Sequence, residues 1–215
     1  MRIGSGISVR KPVQVSPWPV DVLQLLEEHH LCAWSPSEER RAKFGVDLAW
    51  HLSRLRETQI CVLNGSKITD LASFCNQLER GIGFSRIERR IDTPTGVVGA
   101  LRRRHTPKGQ QPVKRRYYLW LDADVLLRRD HRLFGRLVDA IAGVAAEHEF
   151  ANEDLLLLQR AIFVGGPALD MYAEDPRGQF RTWWSDDGED PLWHVVTGVA
   201  APRLLRYQIG DEVGV

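Results

Sequence analysis

The stretch that decides the fold runs from Tyr117 to Phe163 and reads YYLWLDADVLLRRDHRLFGRLVDAIAGVAAEHEFANEDLLLLQRAIF. Tyr117 to Leu121 is an unbroken apolar run of strand length. Leu133, Phe134, Leu137, Val138, Ile141, Val144 and Ala145 then recur at helical spacing, which predicts a helix from about His131 to Glu149. Leu155 to Val164 is a second apolar run. A strand, a long helix and a second strand imply a parallel pair joined by a right-handed crossover. The unit is the centre of an α/β domain.

Upstream, Val22, Leu23, Leu25 and Leu26 predict a short helix from Val20 to Leu31. Ser35-Pro36-Ser37-Glu38 is a helix start, with Ser35 as cap, Pro36 in the first helical position and Glu38 closing a capping box. Phe44, Leu48, Leu52 and Leu55 form one stripe, so this helix should reach about Arg56. Gln59 to Leu63 reads as a short strand ended by the turn pair Asn64-Gly65. Ile68, Leu71, Cys75, Leu78 and Ile82 give another helical stripe. Phe84 to Ile91 has strand character, and Val97 to Arg104 suits a short helix. Downstream, Gly165-Gly166-Pro167 turns into a short helix, Ala168 to Tyr172, and His194 to Thr197 is a further candidate strand.

The expected fold class is therefore α/β, with a small, mainly parallel sheet of three or more strands and flanking helices. Residues 1–19 read as a loose N-terminal arm, 20–57 as an N-terminal helical segment, 58–166 as the α/β core and 167–215 as a Trp-rich C-terminal extension packed on it.

Composition narrows the class. Hydrophobic residues make up 43% and charged residues 27%, as in globular chains, and the net charge is +1. That balance gives no long-range attraction to nucleic acid or membrane. No apolar run reaches the length of a membrane span. Cys32, Cys61 and Cys75 lack metal-ligand spacing, which suits free, buried thiols in a reducing cytoplasm.

The segment from Gln59 to Val164 resembles the barstar family of small ribonuclease inhibitors. Ile60-Cys61-Val62-Leu63-Asn64-Gly65 is similar to the opening strand and turn, and Ile68 to Leu78 to the first helix. Gly96 to Leu101 stands where the family's short inhibitory helix would be. Tyr118 to Asp122 is similar to the second strand, Phe134 to His148 to the long helix and Leu155 to Phe163 to the last strand. The resemblance implies a barstar-like core acting by protein contact. Barstar presents acids from its short helix and adjoining loop to a basic active site. The corresponding region here keeps one acid, Asp92, and is followed by Arg102-Arg103-Arg104, which would repel a positive cleft. The implication is stronger for fold than for inhibition.

Several residues carry competing readings. Asp122-Ala123-Asp124 after an apolar strand resembles the metal-binding D-x-D of sugar-nucleotide glycosyltransferases. Two carboxylates there can hold Mg²⁺ or Mn²⁺ against a diphosphate. Equally, Asp122 can end the strand while Asp124 caps the next segment. From Leu101 to Arg116 there are seven Lys or Arg residues and no acid. Arg102, Arg103, Arg104, Lys108 and Lys114-Arg115-Arg116 can grip phosphates, with Tyr117 and Tyr118 stacking bases, or can form a solvated loop. Gly165-Gly166-Pro167 is a βα turn or an anion cradle. Glu147 needs a partner such as Arg160 if it is buried. The histidines show no metal-ligand spacing. Trp183, Trp184 and Trp193 crowd Asp186, Asp187, Glu189 and Asp190, as in a protein interface or a cap over the sheet.

No coherent catalytic set is present. The leading expectation is a non-catalytic protein–protein interaction module without cofactor, whose contact residues are Asp92, Arg102, Arg103, Arg104, Trp183, Trp184 and Trp193. The alternative is a Mg²⁺- or Mn²⁺-dependent transferase or phosphate-handling enzyme using Asp122 and Asp124. A third reading is nucleic-acid binding through the basic 102–116 loop.

Overall fold

A computed structural model of the chain describes residues 20–82, 96–97, 99, 101, 113–149, 157–175 and 204–210. These residues form one five-stranded sheet flanked by helices, in the order α1 (Val20–Glu28), β1 (His30–Trp34), α2 (Glu38–Leu52), β2 (Thr58–Asn64), a 3-10 turn (Gly65–Lys67), α3 (Leu71–Ile82), β3 (Arg115–Leu121), α4 (Ala123–Arg129), α5 (His131–Glu149), β4 (Leu158–Gly165), α6 (Pro167–Glu174) and β5 (Leu204–Gln208). Every strand pair is parallel, and the order across the sheet is β2-β3-β4-β1-β5. The expected mainly parallel sheet is wholly parallel among the described residues.

The decisive stretch folds as its pattern predicts. β3 is buried from Arg116 to Trp120, and β3 and β4 pair in register from Arg115↔Leu158 to Trp120↔Phe163. The long helix α5 crosses between them and buries Phe134, Leu137, Val138, Ile141 and Val144 against the sheet.

Elsewhere the elements differ from expectation. The first helix stops at Glu28, and His30 to Trp34 is a strand. β1 lies inside the sheet between β4 and β5 and carries apolar side chains on both faces. Such a strand lacks alternation, so HLCAW looks like a helix end in the sequence. β5 adds an edge strand at Leu204–Gln208. The α2 cap is Ser37, whose Oγ accepts from Arg40 N at 3.3 Å, while Ser35 Oγ accepts from Ser37 N at 3.2 Å. The helix ends at Leu52, four residues short of the expected end. The candidate strands at 84–91 and 194–197, and the arm at 1–19, lie outside the described residues.

Two cores flank the sheet. On one face α1 and α2 bury Val22, Leu26, Phe44, Leu48 and Leu52 against Leu31, Ala33, Ile60, Tyr117, Leu119, Ile162 and Val164. On the other face α3, α4, α5 and α6 cover Cys32, Cys61, Leu63, Tyr118, Trp120 and Phe163. Trp120 is the hub of that second core. Its ring lies 5.9 Å from Phe74, 5.3 Å from Phe134 and 5.6 Å from Phe163, while Phe134 meets Tyr172 at 5.6 Å. Each such aromatic pair is worth about 0.5–1.5 kcal/mol beyond its buried area. Together they pin α3, α5 and α6 to β3 and β4.

Connectivity fixes where a ligand site would fall. From β1 the chain crosses β4 and β3 to reach β2, then returns through β3 to β4 and passes β1 to reach β5. Right-handed crossovers in opposite directions place their helices on opposite faces. β1 therefore feeds α2 on one face, while its neighbour β4 feeds α6 on the other. The carboxyl ends of β1 and β4 form a topological switch point, the position where open α/β sheets bind ligands.

Candidate functional site

Three turns converge on this switch point. Trp34 to Ser37 links β1 to α2, Leu121 to Ala123 links β3 to α4, and Gly165 to Pro167 links β4 to α6. Ser35 N donates to Gly165 O at 3.2 Å, which joins the first turn to the third.

A phosphate-binding turn in this place needs glycines for close backbone approach and a lysine for the phosphate oxygens. Trp34-Ser35-Pro36-Ser37 has neither. The first turn of α2 carries Glu38 and Glu39, which oppose an anion. Arg41 folds back and donates from Nη1 to Ser35 O at 2.7 Å and to Pro36 O at 3.2 Å. Its guanidinium closes the turn on itself.

The two acids of Asp122-Ala123-Asp124 have different surroundings. Asp122 is half-buried at the N-cap of α4 in the left-handed region (φ 51°, ψ 37°), and its side chain makes no capping bond. Its carbonyl accepts from Val125 N at 3.0 Å and packs on Gly65, where a Cβ would collide with that backbone oxygen. Burial pushes the Asp122 carboxyl above the usual range, and the Asp124 and Glu38 charges push the same way, against Arg41. Asp124 is 2% exposed, and its Oδ2 meets Arg128 Nη2 at 3.0 Å. Its carboxylate also lies against Gly165 and Gly166.

Asp124 is thus already neutralised by Arg128, and a divalent ion would have to displace that guanidinium. Among the described residues no group of three His, Cys, Asp or Glu side chains is placed to hold a metal. At the Gly165-Gly166-Pro167 turn, the Asp124 carboxylate lies close enough to both glycines to oppose a bound anion.

The described part of the basic run is committed within the fold. Lys114 Nζ pairs with Glu57 at 3.0 Å, and Arg115 Nη2 with Glu27 at 3.3 Å. Arg116 is 1% exposed and donates from Nε to Gln59 Oε1 at 2.8 Å and from Nη1 to Leu101 O at 2.7 Å. Tyr117 and Tyr118 are buried rather than free to stack on bases, because both faces of β3 are covered. Burial pushes Tyr117 up to about 12, and Tyr118 donates its hydroxyl to Gln159. Arg160 spends Nη2 on Glu27 O at 2.8 Å and Nη1 on Gln159 O at 3.1 Å.

Asp92, Arg102, Arg103, Arg104, Trp183, Trp184 and Trp193 lie outside the described residues, as do Lys108 and His194. Arg41 and Arg128, which close the switch point, were not singled out by the sequence. Arg128 follows Asp124 by one helical turn, a spacing that signals an ion pair. Arg41 carries no such signal, since its partners are backbone carbonyls.

Family models, curated proteins and solved structures were compared with the chain, and none matches. Among the described residues no helix is long and apolar enough to cross a membrane.

Proposed function

We propose that the chain works by binding a protein partner, as a non-catalytic module built on a doubly wound α/β core. The observation that carries this reading is the closed state of the switch point. In a sheet of this topology a substrate or nucleotide would sit at the carboxyl ends of β1 and β4. Here Arg41 ties down the first turn, Glu38 and Glu39 oppose phosphate, and Asp124 is spent on Arg128 and the two glycines. The enzyme alternative rests on Asp122 and Asp124 and would require that arrangement to open. The order strand, helix, strand, long helix, strand between residues 59 and 164 is what a barstar-like core calls for, and that resemblance stays part of the proposal. Asp92, Arg102 to Arg104 and the Trp-rich segment remain the proposed contact residues.

Two measurements decide between the readings. Tagged chain purified from its native host should bring down one protein in stoichiometric amount. A folded chain that emerges alone would sink the binding reading. Mg²⁺ or Mn²⁺ at millimolar concentration should leave the melting temperature unchanged. An ion bound a hundredfold above its dissociation constant would stabilise the fold by about 2.7 kcal/mol. A shift of that size, lost in Asp124→Ala, would restore the metal enzyme.

A further inference from the structure

The corner between α4 and α5 carries a charge arrangement that the fold does not explain. α4 ends in Arg128 and Arg129, and α5 begins with His131 and Arg132 and continues to Arg136. All five are exposed. Arg128 reaches back to Asp124. Arg129 donates to Ser66 O at 3.2 Å, to Gly65 O at 3.4 Å and to Ile68 O, which fastens the turn bearing the exposed Lys67 onto α4.

The acids nearby are spent on structure. Asp124 is buried and faces inward, and Asp130 Oδ1 accepts from Leu133 N at 2.9 Å as the cap of α5. Asp70 Oδ1 accepts from Ser73 N at 2.7 Å as the start of α3. Lys67, Arg132 and Arg136 pair with no acid among the described residues.

Two local features therefore have no acidic partner among the described residues. Arg132 sits in the first turn of a long helix, where its charge opposes the positive end of the helix dipole and the Asp130 cap is the acid that meets that end. Arg132 and Arg136 are like charges one turn apart on the same face, which repel. Where local preferences conflict with no internal gain, function is the usual reason.

We infer that the α4–α5 corner, centred on Arg132 and Arg136 and extended by Lys67, is a docking surface for an acidic protein segment. The inference rests on the protein-binding reading above and gives the partner its chemistry. An acidic segment fits better than nucleic acid. Among the described residues the corner offers no aromatic platform, since Tyr117 and Tyr118 are buried, and the chain's net charge of +1 lacks a wide basic footprint.

The test uses the full chain with fluorescently labelled poly-L-glutamate as probe, over a salt series. The wild type should bind, with affinity falling as salt rises. Arg132→Glu/Arg136→Glu should bind about tenfold more weakly. Its melting temperature should be equal or higher, because Glu in the first turn suits the dipole, so unfolding cannot mimic the loss. Arg56→Glu, an exposed charge reversal outside the corner, should stay within about twofold. Unchanged binding by the double variant, or no binding by the wild type, would overturn the surface while leaving the co-purification test of the protein-binding reading intact. Binding of a single-stranded oligonucleotide about tenfold tighter than poly-L-glutamate, lost in the double variant, would overturn both.

Discussion

The carboxylate of Asp124 lies against the backbone of Gly165, so closely that a Cβ added to the glycine would stand 2.8 Å from Oδ1. This contact joins the β3–α4 turn to the β4–α6 turn beside the switch point. It also gives a test of how the switch point is closed. Gly165→Ala should destabilise the fold by about 1–3 kcal/mol, as overpacking does. The nearest obstacle is a side-chain oxygen, while the Asp124 Cβ and backbone N stand 3.1 Å from the new Cβ and stay in place, so Asp124→Ala should relieve part of the cost. A double-mutant cycle by urea denaturation should then show coupling of about 0.5–3 kcal/mol. Gly65→Ala is the contrast, since its new Cβ meets the Asp122 carbonyl and no side-chain truncation makes room. Additive effects of Gly165→Ala and Asp124→Ala would show that the carboxylate does not hold the turn.

The thiols should be silent in the native state. Cys32, Cys61 and Cys75 are all buried and free. Burial pushes Cys32 and Cys61 up to about 12 and Cys75 to about 11. The thiolate is the reactive form. At mildly alkaline pH, Ellman's reagent should therefore label no described cysteine of the folded chain at the rate of a free thiol. All three should react at once in denaturant. Rapid native labelling of one of them would mean that its part of the core opens readily.

Stability should fall in mild acid through His30. The ring is buried and its Nδ1 accepts from Ala161 N at 2.9 Å, so the folded state holds it neutral. Burial lowers its pKa most, followed by the charges of Arg160 and His29. The unfolded chain takes up a proton below about pH 6.5, and the folded chain does not. Unfolding then binds protons, so stability is full above that pH and declines below it, by at most about 1.4 kcal/mol per pH unit from this group. Urea midpoints measured from neutral pH downward should show the decline, and His30→Gln should flatten it. Equal slopes in both chains would remove His30 as the cause.

How much of this was legible depended on the range of the interaction. β3, α5 and β4 announced themselves because a buried run and a 3.6-residue stripe are local signals. The ion pair from Asp124 to Arg128 belongs to the same class, one helical turn along α4. β1 did not, since a five-residue strand whose first four residues are buried carries neither alternation nor a stripe. Its place between β4 and β5 is set by pairing with residues about 130 and 170 positions away, as in Leu31↔Ile162 and Leu31↔Leu205. Without β1 there is no switch point to see. That is why Asp124 and Gly165 could be read singly, Arg41 not at all, and the three not as one arrangement.

The same long-range register creates a polar row inside the second core. Gln59, Arg116 and Gln159 stand in line across β2, β3 and β4. Arg116 holds Gln59 with Nε and reaches Leu101 O with Nη1, so one guanidinium ties β3 to β2 and to the helical residues near Leu101. Lysine keeps the charge but not the planar fork that serves both acceptors. Arg116→Lys should thus leave one buried acceptor unmet, at a cost of about 1–3 kcal/mol. For a chain of this size each kcal/mol lowers the melting temperature by about 2–4 °C. Hydrogen exchange should place the loss, with faster exchange at Val97 and Leu101 and little change in the centre of β3. If Arg116→Lys melts with the wild type and protection near Leu101 is unaltered, the guanidinium is not what holds that segment to the sheet.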